Sequence, residues 1–275
     1  MSEAKQLDDC CASAPLTNSF DVAVIGAGSA GFSAAITAAE AGARVALIGY
    51  GTIGGTCVNV GCVPSKAMIR AAEAIHHARS ASRFDGIKGG AELYDWQALI
   101  AQKQALVDSL REAKYEDLLS AYDQVTYIEG KARLDKSGVR VDDRLIKADK
   151  IIVTTGASSG LPDIDGIADV PYLTSTTALE LEAPPQSLIV IGGGYIGCEL
   201  AQLFSRVGTE VTIVTRSHLL SDGEPEISSA LSQYFEQEGI TVLDSLAYEH
   251  ITTGSRGVEL SIRRDGKSEI IEAEQ

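Results

Sequence analysis

The hydrophobic positions of the chain fall into short runs that end in glycine. An apolar run at residues 21–25 leads into a glycine-rich turn and an alanine-rich stretch to about Ala41, and Gly42 precedes a second apolar run at 44–48. Apolar runs of this length predict buried strands, and the longer stretch between them predicts a helix. The predicted order is therefore strand, glycine turn, helix and strand.

The same order recurs in the second half of the chain. An apolar run at 187–191 leads into a glycine turn, a helix to about Arg206, then Gly208 and a strand at 210–214. Both turns have the spacing G-x-G-x-x-G, which between a strand and a helix is typical of dinucleotide-binding units. The sequence therefore predicts an α/β protein with two Rossmann-like dinucleotide-binding domains.

These glycines would let the backbone approach a pyrophosphate, and the N-terminus of the following helix would supply N–H groups to the phosphate. A plain strand–turn–helix connection is the alternative. The residues predicted to bind the dinucleotides are Gly26, Gly28, Ser29, Ala30 and Gly31 in the first turn, Thr155 and Gly156 after the run at 151–153, and Gly192, Gly194, Tyr195, Ile196 and Gly197 in the second turn.

The remaining pattern predicts the other elements and the domain boundaries. Helices are expected at 65–79 and as one long stretch at 94–122, a strand at 125–128, a hairpin at 139–146, a buried strand at 151–153 and a connection between domains at 161–185. The predicted domains are a disordered arm at 1–19, a first dinucleotide-binding domain at 20–158, which includes the paired cysteines Cys57 and Cys62, and a second dinucleotide-binding domain at 159–275.

The segment 54–66 carries the candidate redox chemistry. Cys57 and Cys62 lie five positions apart, a spacing that does not fit the usual zinc pattern. A helix that begins near Gly61 would place Cys62 at its N-terminus, where the helix dipole favours a thiolate, and Lys66 on the same face. Two buried core cysteines are the alternative, but the surrounding glycines, threonine and lysine favour a redox-active dithiol.

Charge and composition exclude several classes of protein. The net charge of −15 and the lack of a basic cluster argue against a nucleic-acid partner. The sequence shows no apolar run of membrane-spanning length, and its first twenty residues show no signal-peptide core. Five cysteines in 275 residues do not make a disulfide framework, which favours a cytoplasmic protein with catalytic thiols. Cys10 and Cys11 lie in the predicted arm and could capture a soft metal, although an incidental exposed pair is the simpler interpretation.

The residue after the second strand of each unit bears on cofactor choice. An acid there usually bonds the ribose 2′-hydroxyl, whereas an arginine suits a 2′-phosphate. The second unit has Thr215 followed by Arg216, which favours NADPH, with a solvated surface arginine as the alternative. The first unit has Gly49 where an acid is expected. Because a flavin can pass an electron pair between nicotinamide and sulfur, the first dinucleotide is predicted to be FAD.

The sequence resembles the class I pyridine nucleotide-disulfide oxidoreductases. Segment 54–66 resembles their redox-active disulfide motif, and segments 65–72, 111–115, 172–176 and 216–217 resemble the mercuric reductase branch. The resemblance implies NADPH-dependent, FAD-mediated reduction of thiol-bound Hg(II) to Hg(0), a role in mercury resistance and a homodimer. It also implies that the C-terminal dimerisation domain is absent from these 275 residues, so that they alone would be poorly active.

The resemblance also implies roles for individual residues. Cys57 would be the outer, exchanging thiol and Cys62 the flavin-side thiolate, and both would bind Hg(II) as substrate. Lys66 would lie near flavin N5 and pair with Glu199, and the Tyr195 ring would cover the flavin until nicotinamide displaces it. Cys198 is expected in the core. Further FAD contacts are implied for Gly31, Gly51, Thr56 and Ala132.

Two other functions stay open at this point. The first is a disulfide reductase of the dihydrolipoamide dehydrogenase or glutathione reductase type, which shares the cysteine motif. The second is a nucleotide-binding fragment without catalytic activity.

Overall fold

A computed structural model describes residues 19–275 in two compact units. Unit 1 contains residues 19–55 and Tyr115–Gly156, and unit 2 contains Thr56–Lys114 and Ala157–Gln275. Cys10, Cys11 and all but the last residue of the predicted arm lie outside the described residues. Ser19, that last residue, already belongs to the first strand.

Twelve strands and eight α-helices are found in the described residues. In chain order they are β1 (Ser19–Ile25), α1 (Ser29–Glu40), β2 (Val45–Gly49), α2 (Gly55–Asn59), α3 (Cys62–Ser80), α4 (Trp96–Arg111), α5 (Asp117–Ser120), β3 (Val125–Glu129), β4 (Ala132–Asp135), β5 (Gly138–Val141), β6 (Arg144–Val153), α6 (Ser175–Ala178), β7 (Ser187–Ile191), α7 (Tyr195–Val207), β8 (Glu210–Val214), α8 (Pro225–Gln237), β9 (Thr241–Leu243), β10 (Ala247–Gly254), β11 (Gly257–Arg264) and β12 (Lys267–Ala273).

Unit 1 is built on one sheet with the strand order β3-β2-β1-β6-β5-β4. Strands β3, β2, β1 and β6 pair in parallel, and β4, β5 and the start of β6 form an antiparallel meander. Strand β2 is buried along its whole length, as expected of a strand inside a parallel sheet. Five apolar residues of β1 and β2 pack with Ile128, Val139 and Ile146 into one core.

Unit 2 contains two three-stranded sheets, a parallel one with the order β7-β8-β9 and an antiparallel one with the order β10-β11-β12. One core joins α3 to α7 through Met68, Ala72, Leu203 and Phe204. Helix α7 is capped at its C-terminus by Gly208, which has the left-handed backbone (φ 111°) that glycine adopts there without strain. The chain therefore leaves unit 1 after β2, contributes α3 and α4 to unit 2, and returns at Tyr115.

The predicted α/β class and both strand–turn–helix–strand copies are confirmed, but the local predictions at 94–122, 161–185 and 151–153 change. The stretch 94–122 is helical only from Trp96, and it contains a π-helical segment at Glu112–Glu116 between α4 and α5. The connection at 161–185 is packed into unit 2, since Ile164 and Leu179 are buried there. The boundaries 20–158 and 159–275 stay a prediction about which domain holds which cofactor.

The run 151–153 was predicted to be a buried strand, and this prediction was wrong. It forms the end of β6, but Ile151, Ile152 and Val153 are 40%, 37% and 57% exposed. The reason is that β5 pairs with β6 only near Arg144–Ile146, and within residues 19–275 no other strand continues that edge.

Candidate active site

The first glycine turn joins β1 to α1 in unit 1, and its glycines are sterically required. Gly26 has φ 118°, and a Cβ at Gly31 would lie only 1.7 Å from the Gly26 carbonyl oxygen. Thr154 holds the turn from the end of β6, because its hydroxyl oxygen lies 3.1 Å from that same oxygen, to which it donates a hydrogen bond. The turn is thus a rigid backbone cradle at the carboxyl edge of parallel strands, where such folds bind ligands.

The cysteine segment begins on this turn. The Gly54 N–H donates to the Ala27 carbonyl oxygen over 2.9 Å, and a Cβ on Gly55 would come within 2.6 Å of the Gly28 Cα. Two chain segments therefore meet through backbone alone, which explains the pair of glycines before the cysteines. Gly28 has open space around it, since a Cβ built on it would meet only the Gly55 Cα, at 3.5 Å.

Unit 1 also holds most of the other residues predicted to contact FAD. Ser29 and Ala30 are exposed in the first turn of α1, and the Ser29 hydroxyl lies 2.9 Å from the Tyr115 hydroxyl. The remaining predicted contacts in this unit are Gly51 after β2, Ala132 at the start of β4, and Thr155 and Gly156 after β6. Their roles toward a cofactor stay predictions.

The two candidate thiols lie in unit 2, with Thr56. Cys62 is the first residue of α3, whose N-cap is Gly61, so the predicted placement at a helix N-terminus is confirmed. Both Cys57 and Cys62 are free and exposed, which excludes the core-cysteine interpretation. Hydrogen bonding to Cys62 is the main cause that raises the pKa of Cys57, and burial adds to it, while the Lys114 charge opposes them. Cys57 therefore keeps its proton at neutral pH.

Helices α3 and α7 bring Lys66 and Glu199 together, and a third predicted residue, Tyr195, begins α7. Lys66 Nζ lies 2.6 Å from Glu199 Oε1, an ion pair predicted from the resemblance and present here. Both side chains are partly exposed, so the pair orients the lysine more than it stabilises the fold. Tyr195 is the first residue of α7 and its side chain is 70% exposed, which excludes a ring simply packed at a helix start.

The second glycine turn repeats the geometry of the first. Gly192 has φ 111°, and a Cβ at Gly197 would lie 2.3 Å from the Gly192 carbonyl oxygen. A Cβ at Gly194 would meet no atom within 4 Å, and Ile196 is exposed. Arg216 follows β8 and is exposed. Within residues 19–275 it has no hydrogen bond or ion pair, so its charge is free to meet an anion.

Cys198 is a core residue, as expected. Its side chain is 6% exposed and its thiol donates to the Gly193 carbonyl oxygen over 3.5 Å. Burial raises the pKa of this thiol to about 11. Across the described range 19–275, no three His, Cys, Asp or Glu side chains are grouped closely enough to hold a metal ion. The Cys57–Cys62 pair is thus a two-thiol site.

Sequence reasoning gave no role to three residues that the structure places at these sites. Tyr115 packs edge-on against Phe32 at 4.8 Å between ring centroids, besides its contact with Ser29. Lys114, in the π-helical segment, is the cation that acts on Cys57. Arg111 donates to the Asn59 side-chain oxygen over 3.1 Å and so ties α4 to α2. Their spacing in sequence gives no signal of these contacts.

The chain has two dinucleotide-binding folds and two exposed thiols, one of them at the start of a helix. This combination is typical of the dithiol oxidoreductases that bind dinucleotides. The chain matches the family described as pyridine nucleotide-disulphide oxidoreductase over residues 20–275. It belongs to that family. In the described residues, no helix combines the length and the apolar character needed to cross a bilayer.

Several curated relatives are mercuric reductases. The chain is 44% identical to the mercuric reductase of Streptomyces lividans over 257 residues, which cover 90% of this chain and 51% of that protein. It is 46% identical to that of Shigella flexneri over 253 residues, covering 90% and 44%. The chain thus spans about half the length of the curated relatives it matches.

A solved structure with the same fold is the Cu(II) complex of the HOCl-induced flavoprotein disulfide reductase RclA from Escherichia coli. Its TM-score is 0.77 at 28% identity, and the match covers 94% of this chain and 56% of that one. The similarity therefore extends over both units.

Proposed function

We propose that the protein is an NADPH-dependent, FAD-containing oxidoreductase that reduces Hg(II) to Hg(0). The observation that carries the proposal is the dithiol Cys57/Cys62 at the start of α3, in a chain with two glycine-turn dinucleotide folds and 41–47% identity to mercuric reductases. A homodimer, a cytoplasmic location and a role in mercury resistance belong to the same proposal.

The first glycine turn has the properties that FAD requires. Its backbone is open at Gly28, where a Cβ would meet only the Gly55 Cα, and the N-terminus of α1 follows directly. Gly26, Gly28 and Gly31 would hold the pyrophosphate, with Ser29, Ala30 and Gly51 as further contacts. When bound, FAD would supply two-electron transfer between nicotinamide and sulfur.

The residues of unit 2 would handle the substrate. Hg(II) is a soft ion, and two thiolates bind it better than oxygen or imidazole ligands do. Cys57 would take the ion from a small thiol and Cys62 would complete a two-thiolate site, where the ion accepts the two electrons that NADPH gives up. Lys66, held by Glu199, would stabilise negative charge near Cys62, and Tyr195 would gate the nicotinamide site.

A direct test is NADPH oxidation with Hg(II) and excess small thiol, on the whole protein as its gene encodes it. Oxidation that depends on Hg(II) and releases volatile mercury is expected. Glutathione disulfide and lipoamide serve as parallel substrates. Their turnover without Hg(II) reduction would favour the second candidate, a disulfide reductase, which the similarity to the E. coli flavoprotein disulfide reductase supports.

Arg216 should set the choice between NADPH and NADH. An exposed guanidinium after β8, without a partner in residues 19–275, can form charge-assisted hydrogen bonds with a 2′-phosphate. Arg216→Ala should raise the KM for NADPH by roughly tenfold to a hundredfold, since such a bond contributes about 1.5–3 kcal/mol. The KM for NADH should change little. Equal effects on both cofactors, measured by steady-state kinetics, would contradict the assignment.

A further inference from the structure

Gly49 occupies the position where an acid would bond the ribose of the first dinucleotide, and the structure shows why no acid fits. It is the last residue of β2. A Cβ built on it would lie 2.7 Å from the Ala27 Cβ and 2.7 Å from the Tyr127 phenol oxygen. A side chain at this position would therefore collide on two sides, and the space beside the first glycine turn is filled by the tyrosine.

Tyr127 reaches this space from the neighbouring strand. In the parallel pairing of β2 and β3, Leu47 is opposite Tyr127 and Gly49 is opposite Glu129, so the four residues share one face of the sheet. The ring is half-buried, yet its hydroxyl forms no hydrogen bond with any side chain or backbone group of residues 19–275. Burial, and then the Glu129 charge, raise the pKa of Tyr127, so the hydroxyl is a neutral donor at physiological pH.

We propose that the Tyr127 hydroxyl replaces the missing acid and hydrogen-bonds the 2′-hydroxyl of the adenosine ribose of FAD. This inference rests on the proposed function, which assigns FAD to the first unit. A phenol can both donate a hydrogen bond to a hydroxyl and accept one from it, whereas the carboxylate it replaces can only accept. A phenol with Glu129 beside it also disfavours a 2′-phosphate, so the site selects an unphosphorylated ribose. Tyr127 is thus a residue for cofactor binding and specificity.

The test compares FAD with its analogue that carries 2′-deoxyadenosine, on the whole protein after its flavin has been removed. Binding of each ligand is followed by flavin fluorescence. Tyr127→Phe removes one oxygen and should weaken FAD binding by about threefold to tenfold, the effect of one hydrogen bond between neutral groups. The same variant should bind the deoxy analogue as tightly as the wild type does.

Tyr122→Phe is the matched control. Its phenol also lies in unit 1, but it donates to Glu40 over 3.0 Å, so its removal should leave both dissociation constants unchanged. Glu129→Gln tests the neighbouring acid. Since each variant is compared between two ligands, a general loss of stability cancels from the ratio of affinities.

Each outcome decides between distinct possibilities. Unchanged FAD binding by Tyr127→Phe, or a loss that is the same for the deoxy analogue, would overturn the role of Tyr127 while FAD binding stands. A ligand-dependent loss in Glu129→Gln alone would give the role to the carboxylate instead. If the wild-type protein binds no FAD at all, the proposed function fails and this inference fails with it.

Discussion

Replacing Cys62 with serine is expected to abolish Hg(II)-dependent NADPH oxidation, with a loss on the order of a thousandfold or more. Cys62 starts α3 with an exposed sulfur that can bind a soft ion, whereas a serine hydroxyl is a hard ligand that does not. The same substitution should remove the long-wavelength charge-transfer absorbance of the reduced enzyme.

Two comparisons make this result specific. Cys57→Ser should also lose mercury reduction but should keep the charge-transfer band, because Cys57 is the proton-bearing, outer thiol in the proposed assignment. Cys198→Ala should keep both activity and spectrum, since Cys198 is a buried core residue. A band that persists in Cys62→Ser would remove Cys62 from its assigned role.

Two glycines of the first turn, Gly31 and Gly28, should respond differently to substitution by alanine. Gly31→Ala should destabilise the protein even without cofactor, by roughly 1–3 kcal/mol, because its Cβ would press on the Gly26 carbonyl oxygen. Gly28→Ala should leave the stability of the flavin-free protein within about 1 kcal/mol, since Gly28 has an ordinary backbone (φ −92°) and its Cβ would make only a 3.5 Å contact.

FAD affinity should show the opposite order from stability, with the larger loss in Gly28→Ala. A Cβ at Gly28 would cover the backbone that a pyrophosphate has to approach, so Gly28→Ala should lower FAD affinity by on the order of tenfold or more. Thermal unfolding of the flavin-free proteins and fluorescence titration with FAD provide the two measurements. Equal stability of both variants would show that the turn relaxes, and unaltered FAD affinity of Gly28→Ala would place the pyrophosphate elsewhere.

Much of the fold could be predicted because its signals are local. The glycine turns depend on steric requirements within six residues, as the close approach of Gly31 to Gly26 shows. The placement of Cys62 at a helix start follows from the residues directly around it. The exposure of Ile151–Val153 could not be read in this way, because an apolar run does not reveal whether a neighbouring strand covers its edge.

The candidate site was likewise predictable from sequence only in part. The sequence indicates which residue types carry the chemistry: the Cys57/Cys62 dithiol, the two glycine turns and Arg216. The contacts among distant residues are a different matter. The pairing of Lys66 with Glu199 spans 133 positions and was expected only through a family resemblance. The contact of Arg111 with Asn59 spans 52 positions and had no sequence signal.

The sequence by itself determined the repeated strand–turn–helix–strand units and the cysteine segment 54–66, because both depend on backbone sterics and chemistry over short stretches of chain. Tertiary structure alone decided that α3 and α4 pack with the second unit, and that the Tyr127 hydroxyl fills the space beside Gly49. Both result from packing between segments that are far apart in sequence. The free energy of such packing depends on which two surfaces are in contact, and the local sequence pattern of one segment does not identify the other.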